Sequence, residues 1–331
     1  MRKNRKYPFL IAISIIMACL ALFFAVKFVE ALIARSEAPK TAYEEYLIQK
    51  EDREWPRTVK IDGVKYHIKD KQTTLLFLGI DNVINEGLTM GKGGRSDAIM
   101  LLIMDDAAKT IKTLTIPRDT QTTIEVYNDA GTFMSAGRGH IALQYSFGDS
   151  PLRSSYLTKK CISYLLHGIH IDGTMSMTMD VIPTVVDTMG GLRLTFDQDY
   201  SYINPAYRKG VTITLDGAAA ESFIRYRDSN ELGSADKRSQ RHEWVVGELF
   251  KNLRNMGGSS FVDELIEAAG DGIRSDISAD DLLKISTYTY TGENYTIPGQ
   301  TIEGAAHDEF YFDEPALQKQ ILELFYSPVS D

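Results

Sequence analysis

The sequence predicts an α/β layered domain carried behind one N-terminal transmembrane helix. Three observations lead there. Between residues 73 and 120, three apolar runs (75–80, 98–104 and 111–116) are bounded by turn residues and have the length of buried strands. From 155 to 196, stretches with helical apolar spacing alternate with short strand-like runs, the succession that layers helices on a sheet. Ahead of both lies an uncharged, almost wholly apolar segment.

That segment comes first in the chain. Residues 1–6 hold four basic side chains, and 8–26 is free of charge and about long enough to span a bilayer as a helix. Residues 1–6 are therefore expected as a cytoplasmic tail, 7–29 as the anchor, and the body of the chain outside the cell. A cleaved signal peptide is the competing reading; the apolar run is long for one, which favours an uncleaved anchor. Residues 30–70 read as a juxtamembrane stalk ending in a hairpin, because Asp62-Gly63 sits between alternating polar and apolar residues.

The three strand-like runs follow, and their ends turn abruptly polar. Asp81 ends the first, Arg95 and Asp97 precede the second, and Arg118 and Asp119 follow the third across Pro117. If the strands are neighbours, these ends converge. Carboxylates suit a hard divalent cation and arginines suit phosphate oxygens. A structural ion-pair cluster accounts for the same pattern equally well. Residues 105–109 form a tight reversal between the last two strands. The glycines of 87–94 lack the spacing of a nucleotide-binding P-loop and read as a flexible loop.

Residues 155–166 have helical spacing. His167 and His170 follow as HGIH, which a helix C-terminus at Gly168 explains more simply than a metal site. Residues 174–179 alternate like a strand, 180–189 suit a short helix ended by Gly190-Gly191, and 192–196 return as a strand. Residues 197–210 read as a loop over the domain. Asp216-Gly217 opens a helix that ends at Arg225 and Arg227, and a second helix begins near Asp236 with Arg238 and Arg241 on one face. Arginines at a helix N-terminus oppose the dipole unless an anion joins them; a solvated basic face is the simpler account. Further on, 261–269, 280–287 and 315–325 look like amphipathic helices, and 295–297 like an edge strand before the Pro298-Gly299 turn.

Composition narrows the function. With 331 residues, 44% hydrophobic and 24% charged, the chain suits a folded globular protein. A net charge of −9 argues against non-specific nucleic-acid binding, and no basic helix-turn-helix pattern is present. The two cysteines, Cys19 and Cys161, are not expected to pair. No GxSxG elbow, HExxH helix or CxxC pair occurs. What remains is a carboxylate-and-arginine site suited to phosphoryl transfer or phosphate binding.

The motifs LGID (78–81), GRSD (94–97), IPRDT (116–120), VVDTMGG (185–191) and RYRD…RSQRHEW from 225 onward resemble the LytR-CpsA-Psr family of cell-envelope glycopolymer ligases. The resemblance covers about residues 73–250. It implies a mixed β-sheet flanked by helices, with a catalytic domain over 71–255 and a C-terminal helical extension, 256–331, packed on it. It further implies an apolar tunnel for a polyprenyl chain. The implied reaction moves a teichoic acid, capsule or related polymer from an undecaprenyl-pyrophosphate carrier in the membrane lipid to peptidoglycan, through a phosphodiester. The implied cofactor is Mg2+, with Mn2+ as a substitute.

Carried over residue by residue, the resemblance implies Asp81 and Asp97 on the metal. It implies Arg95, Arg118, Arg225, Arg227, Arg238 and Arg241 around the pyrophosphate, and Arg118 with Asp119 in catalysis. Two positions depart from the family pattern: Ala235 stands where many relatives have Asp, and His242 where many have Gln. These departures touch turnover more than phosphate binding. A polyprenyl-pyrophosphate hydrolase and a non-catalytic polyprenyl-phosphate-binding protein are the alternative readings.

Overall fold

The structure, a computed structural model, describes residues 57–81, 94–128, 130–226, 241, 244–245, 248–249, 252, 264, 267–277, 285, 287–304 and 308–329. The expected anchor at 7–29 and the glycine-rich loop at 87–93 lie outside the described residues, as do Arg227, Ala235, Arg238 and His242. No described helix is long and apolar enough to cross a membrane.

Strands β1 (Thr58–Ile61) and β2 (Val64–Ile68) form the expected hairpin. Asp62 (φ 49) and Gly63 (φ 82) both adopt the left-handed backbone that a two-residue turn requires. Next come β3 (Gln72–Asp81), β4 (Arg95–Asp105) and β5 (Thr110–Thr115). At the β4–β5 reversal, Asp105 Oδ1 accepts from the amides of Ala107 and Ala108 at 2.9 and 2.8 Å, and Lys109 takes φ 54. Strands β6 (Gln121–Tyr127) and β7 (Phe133–His140) make a separate two-stranded ribbon.

Helix α1 (Pro151–Leu165) starts where the Ser150 hydroxyl caps Arg153 N. It ends as expected at Gly168, with His167 (φ 55) and Gly168 (φ 88) both left-handed: His167 N reaches Tyr164 O at 3.2 Å and Gly168 N reaches Ser163 O at 2.8 Å. Strand β8 (Gly173–Thr178), helix α2 (Ile182–Thr188), strands β9 (Leu192–Thr195) and β10 (Thr212–Leu215) and helix α3 (Gly217–Arg225) follow. The last described elements are β11 (Ile273–Ser275), β12 (Thr289–Thr296), β13 (Gly299–Ile302), β14 (Glu309–Phe312), α4 (Glu314–Phe325) and β15 (Tyr326–Pro328).

Six strands build the central sheet in the order β11-β8-β3-β4-β5-β12. β8 runs parallel to β3 and β12 parallel to β5, while β3/β4, β4/β5 and β11/β8 are antiparallel, so the sheet is mixed. β3 is buried at seven consecutive positions, Thr74–Ile80, because both sheet faces are covered; hence its run is continuously apolar rather than alternating. Leu76, Leu78, Ile99, Leu101 and Leu114 pack against Ile162 and Leu165 of α1 and Leu317 and Ile321 of α4. On the other face, Leu75, Phe77, Met100 and Leu102 meet Val186, Leu194, Ala220 and Phe223. Each such side chain, fully buried, contributes about 1.5–3 kcal/mol.

One segment differs from its sequence reading. Residues 256–331 are more mixed than a helical extension: besides α4 they supply both edge strands of the central sheet, β11 and β12, the β13–β14 hairpin, and β15, which pairs with β2. The hairpin expected to end the stalk is thereby one sheet with the chain's C-terminal strand. The loop at 197–210 covers the domain as expected and is pinned by two aromatic side chains. Tyr200 and Tyr207 are buried, Tyr207 stacking on Phe196 at 4.8 Å and Tyr200 meeting Phe223 edge-on at 5.0 Å. Their burial anchors an otherwise exposed, turn-rich segment.

Candidate active site

The strand directions bring the polar ends to one rim. β3 arrives there at Asp81, β4 leaves it from Arg95, and β5 arrives again before Pro117. Asp81 and Arg95 are register partners. The register shifts between Gly79, opposite Ala98, and Ile80, opposite Ser96, so Asp97 is the extra residue of a β-bulge. Bulges bend a strand and re-aim a side chain. Gly79 lies at the shift, where a Cβ would sit 2.9 Å from that of Ala98, so the close approach needs glycine.

Pro117 has no amide hydrogen to extend β5, and a tight turn follows. Pro117 O accepts from Thr120 N at 3.0 Å and from the Thr120 hydroxyl at 2.5 Å, leaving Arg118 and Asp119 as the turn's central residues. Their carbonyls are held as well: Ala142 N donates to Arg118 O at 3.1 Å and Phe310 N to Asp119 O at 2.9 Å. The turn is thus clamped on both sides, and its two charged side chains project from a fixed backbone.

Arg118 Nη1 pairs with Asp97 Oδ1, and Arg118 Nε lies 3.2 Å from Asp119 Oδ1. Asp97 is 3% exposed, Arg118 15% and Asp119 14%: the cluster is buried at its base and reached by solvent at its outer end. Two carboxylates against one guanidinium leave net negative charge. Burial alone would weaken ionisation of Arg118, but the charge of Asp97, then that of Asp119 and the hydrogen bonds to both, outweigh it and raise its pKa. Burial likewise disfavours the Asp119 carboxylate; the hydrogen bond from His140 and the charge and hydrogen bond of Arg118 prevail and hold it below the usual range.

His140 is the residue that sequence reasoning missed. It ends β7 opposite Gln121, and its Nδ1 lies 3.3 Å from Asp119 Oδ1. A lone histidine after GRG carries no spacing signal, and only the β6–β7 ribbon brings it back to the turn.

The late arginines divide. Arg225 closes α3, which suits the helix dipole, and its Nε pairs with Glu221 Oε1 at 2.8 Å with the side chain 44% exposed. Arg241 is buried, 2% exposed; its Nη2 donates to the Tyr226 carbonyl and its guanidinium lies 5.8 Å from the Tyr226 ring centre. It therefore grips the backbone just beyond α3.

Two carboxylates with phosphate oxygens are the donor set magnesium takes in phosphoryl-transfer sites, so Asp81 and Asp97 fit that ion in kind. Among the described residues no three His, Cys, Asp or Glu side chains form a closed cage. His167 and His170 are engaged otherwise, with Glu314 at 2.8 Å and Asp172 at 3.6 Å. A cavity of about 440 Å³ between β6 and α1 is lined by none of the expected site residues. Its Lys160 and Glu125 pair with each other at 2.7 Å.

Comparison with known proteins decides the lineage. The model of the LytR_cpsA_psr family matches residues 35–324, most of the chain. The chain belongs to the LytR_cpsA_psr family. Among members, the polyisoprenyl-teichoic acid–peptidoglycan teichoic acid transferase TagV of Bacillus subtilis (strain 168) is 24% identical over 261 residues, 75% of this chain. The match spans 62% of TagV's own length, less than two thirds. The transferase TagU of Oceanobacillus iheyensis is 24% identical over 312 residues, 92% of this chain and 87% of TagU. The crystal structure of B. subtilis TagV superposes with a TM-score of 0.58 at 23% identity, over 77% of this chain and 98% of that one. The mixed sheet with its flanking helices is therefore the LytR_cpsA_psr fold.

Proposed function

We propose that this chain is a membrane-anchored ligase that transfers a glycopolymer from an undecaprenyl-pyrophosphate carrier to a hydroxyl of peptidoglycan, leaving a phosphodiester. The observation that carries the reading is the Asp97–Arg118–Asp119 cluster, buried at its base and open at the sheet rim. Replacing a buried ion pair by apolar side chains is often neutral or stabilising, so stability alone is a weak reason to keep one there. Relatives named as teichoic acid transferases supply the substrate class.

The chemistry follows from the geometry. Of the five guanidinium N–H donors, those on Nη1 and Nε turned to Asp97 and Asp119 fix the plane of Arg118. The remaining donors serve phosphate oxygens in a fixed fork, which costs no reorganisation as charge builds on the leaving group. Arg95, at the mouth of β4, adds a second cation. Asp81 and Asp97 would hold Mg2+, or Mn2+ in its place; when bound, the ion neutralises pyrophosphate charge. Asp119, held ionised, accepts the proton of the incoming hydroxyl. Arg225, with Arg227 and Arg238, supplies further cations to the phosphates, Glu221 yielding Arg225 when an anion arrives, while Arg241 fixes the end of α3, which carries Arg225. The apolar segment 7–29 keeps the site beside the membrane that holds the lipid carrier, outside the cell.

The test uses the detergent-solubilised full chain, a polyprenyl-pyrophosphate-linked oligosaccharide, a peptidoglycan fragment and Mg2+. Acceptor-dependent attachment of the oligosaccharide is the expected result, lost on Arg118→Lys because an ammonium cannot bridge two carboxylates in one plane. Phosphate release without acceptor would make the protein a hydrolase. Tight lipid binding with neither outcome would make it a binding protein.

A further inference from the structure

Asp119 has two carboxylate oxygens, and they are not equivalent. Arg118 Nε and His140 Nδ1 both address Oδ1, at 3.2 and 3.3 Å. Neither contact falls on Oδ2. The turn fixes the main chain of Asp119, and the two side chains fix the rotation of its carboxyl group. His140 itself is held where β7 ends opposite Gln121, and its side chain is 20% exposed, near enough to solvent for a substrate hydroxyl to approach beside it.

We infer that His140 is a positioning residue for Asp119, donating from Nδ1 to Oδ1 so that Oδ2 is presented to the acceptor hydroxyl. This deepens, and rests on, the ligase reading above. In the step concerned, the acceptor oxygen bonds to the polymer-side phosphorus. The bond from that phosphorus to the bridging oxygen breaks, and its electron pair leaves on the lipid monophosphate. The acceptor proton passes to Asp119 Oδ2. With Oδ1 engaged by two donors, the lone pairs of Oδ2 are the ones that take it. Without His140, Arg118 alone holds the carboxyl group, which turns about its terminal bond and loses its aim.

The arrangement separates positioning from charge. An asparagine at position 140 can place an amide N–H where Nδ1 stands, while a leucine fills similar volume without a donor. His140→Leu is expected to lower kcat by about a hundredfold, as for a misplaced catalytic group. KM for the lipid-linked oligosaccharide should stay within about threefold, since Arg118 and Arg95 are intact. His140→Asn should recover kcat to within about tenfold of the unaltered chain. The assay is transfer from the polyprenyl-pyrophosphate-linked oligosaccharide to the peptidoglycan fragment by the detergent-solubilised full chain.

Equal kcat in the leucine variant and the unaltered chain would overturn the inference, as would an asparagine variant no better than leucine. If the leucine variant does not fold, the asparagine variant decides alone, and a loss beyond about a hundredfold overturns it. No transfer by the unaltered chain would sink the ligase reading itself, a failure visible before any variant is compared.

Discussion

Truncating Arg118 to alanine removes the guanidinium that faces Asp97, whose side chain is 3% exposed. Breaking one side of a buried pair costs about 3–5 kcal/mol, because the surviving charge stays in a poorly solvated place. Arg118 is 15% exposed, so water reaches its end of the pair, and the lower bound, about 3 kcal/mol, applies. For a domain of this size that lowers the thermal midpoint by about 6–12 °C. Asp97→Asn strands less, since Arg118 keeps Asp119, and should cost about 1–2 kcal/mol. In the double variant no charge is left at position 97 to be stranded, so its cost should fall short of the sum of the singles by about 2 kcal/mol. Urea denaturation in the presence of a chelator measures this by tryptophan fluorescence. Trp244 is a suitable reporter, with ring centres of Phe196, Tyr200 and Phe223 at 5.8, 5.8 and 6.0 Å. Additivity within about 0.5 kcal/mol would refute the claim that Asp97 depends on Arg118.

Asp119 gives a pH signature. Its folded carboxyl titrates below the ordinary 3.8, so its contribution to stability is fully present above that pH and is lost as pH falls through the folded value. The thermal midpoint of Asp119→Asn should therefore lie below that of the unaltered chain at pH 7, and the gap should close as pH drops below about 4; a gap independent of pH contradicts the assignment. Cys161 is buried with its thiol pushed up to about 12, first by burial and then by the charge of Glu125. Alkylation of Cys161 by iodoacetamide at pH 8 should proceed only after denaturation, and rapid native labelling followed by peptide mapping would disprove it. Gly79→Ala sets a methyl against Ala98 at the bulge and should cost about 1–3 kcal/mol in urea unfolding; an unchanged midpoint would mean the strands part freely there.

Physical chemistry explains which of these features could be read in advance. The runs at 75–80 and 98–104 announce strands because both faces of the sheet are covered there, so their positions are continuously apolar, and 111–116 follows as their more mixed neighbour. Asp62-Gly63 and the 105–109 reversal are local turn chemistry, visible in a few residues. Asp81, Arg95, Asp97, Arg118 and Asp119 stand out because charge at the end of an apolar run needs a reason. Local sequence announces an edge strand at 295–297 but not its partner: β12 joins β5 in parallel with Thr289 opposite Thr110, 179 residues away.

The sequence by itself determined the three central strands, their charged ends and the motifs that place the chain in its family, since each depends on neighbours within a few residues. Tertiary structure alone decided the rest. The bulge that sets Asp97 apart exists only as a mismatch between β3 and β4. Arg241 grips the Tyr226 carbonyl only because residue 241 comes back to the end of α3, 15 residues earlier in the chain. His140 reaches Asp119 only because β6 and β7 fold back on each other. Contacts between segments distant along the chain arise from register and packing, and a register is a property of two strands at once.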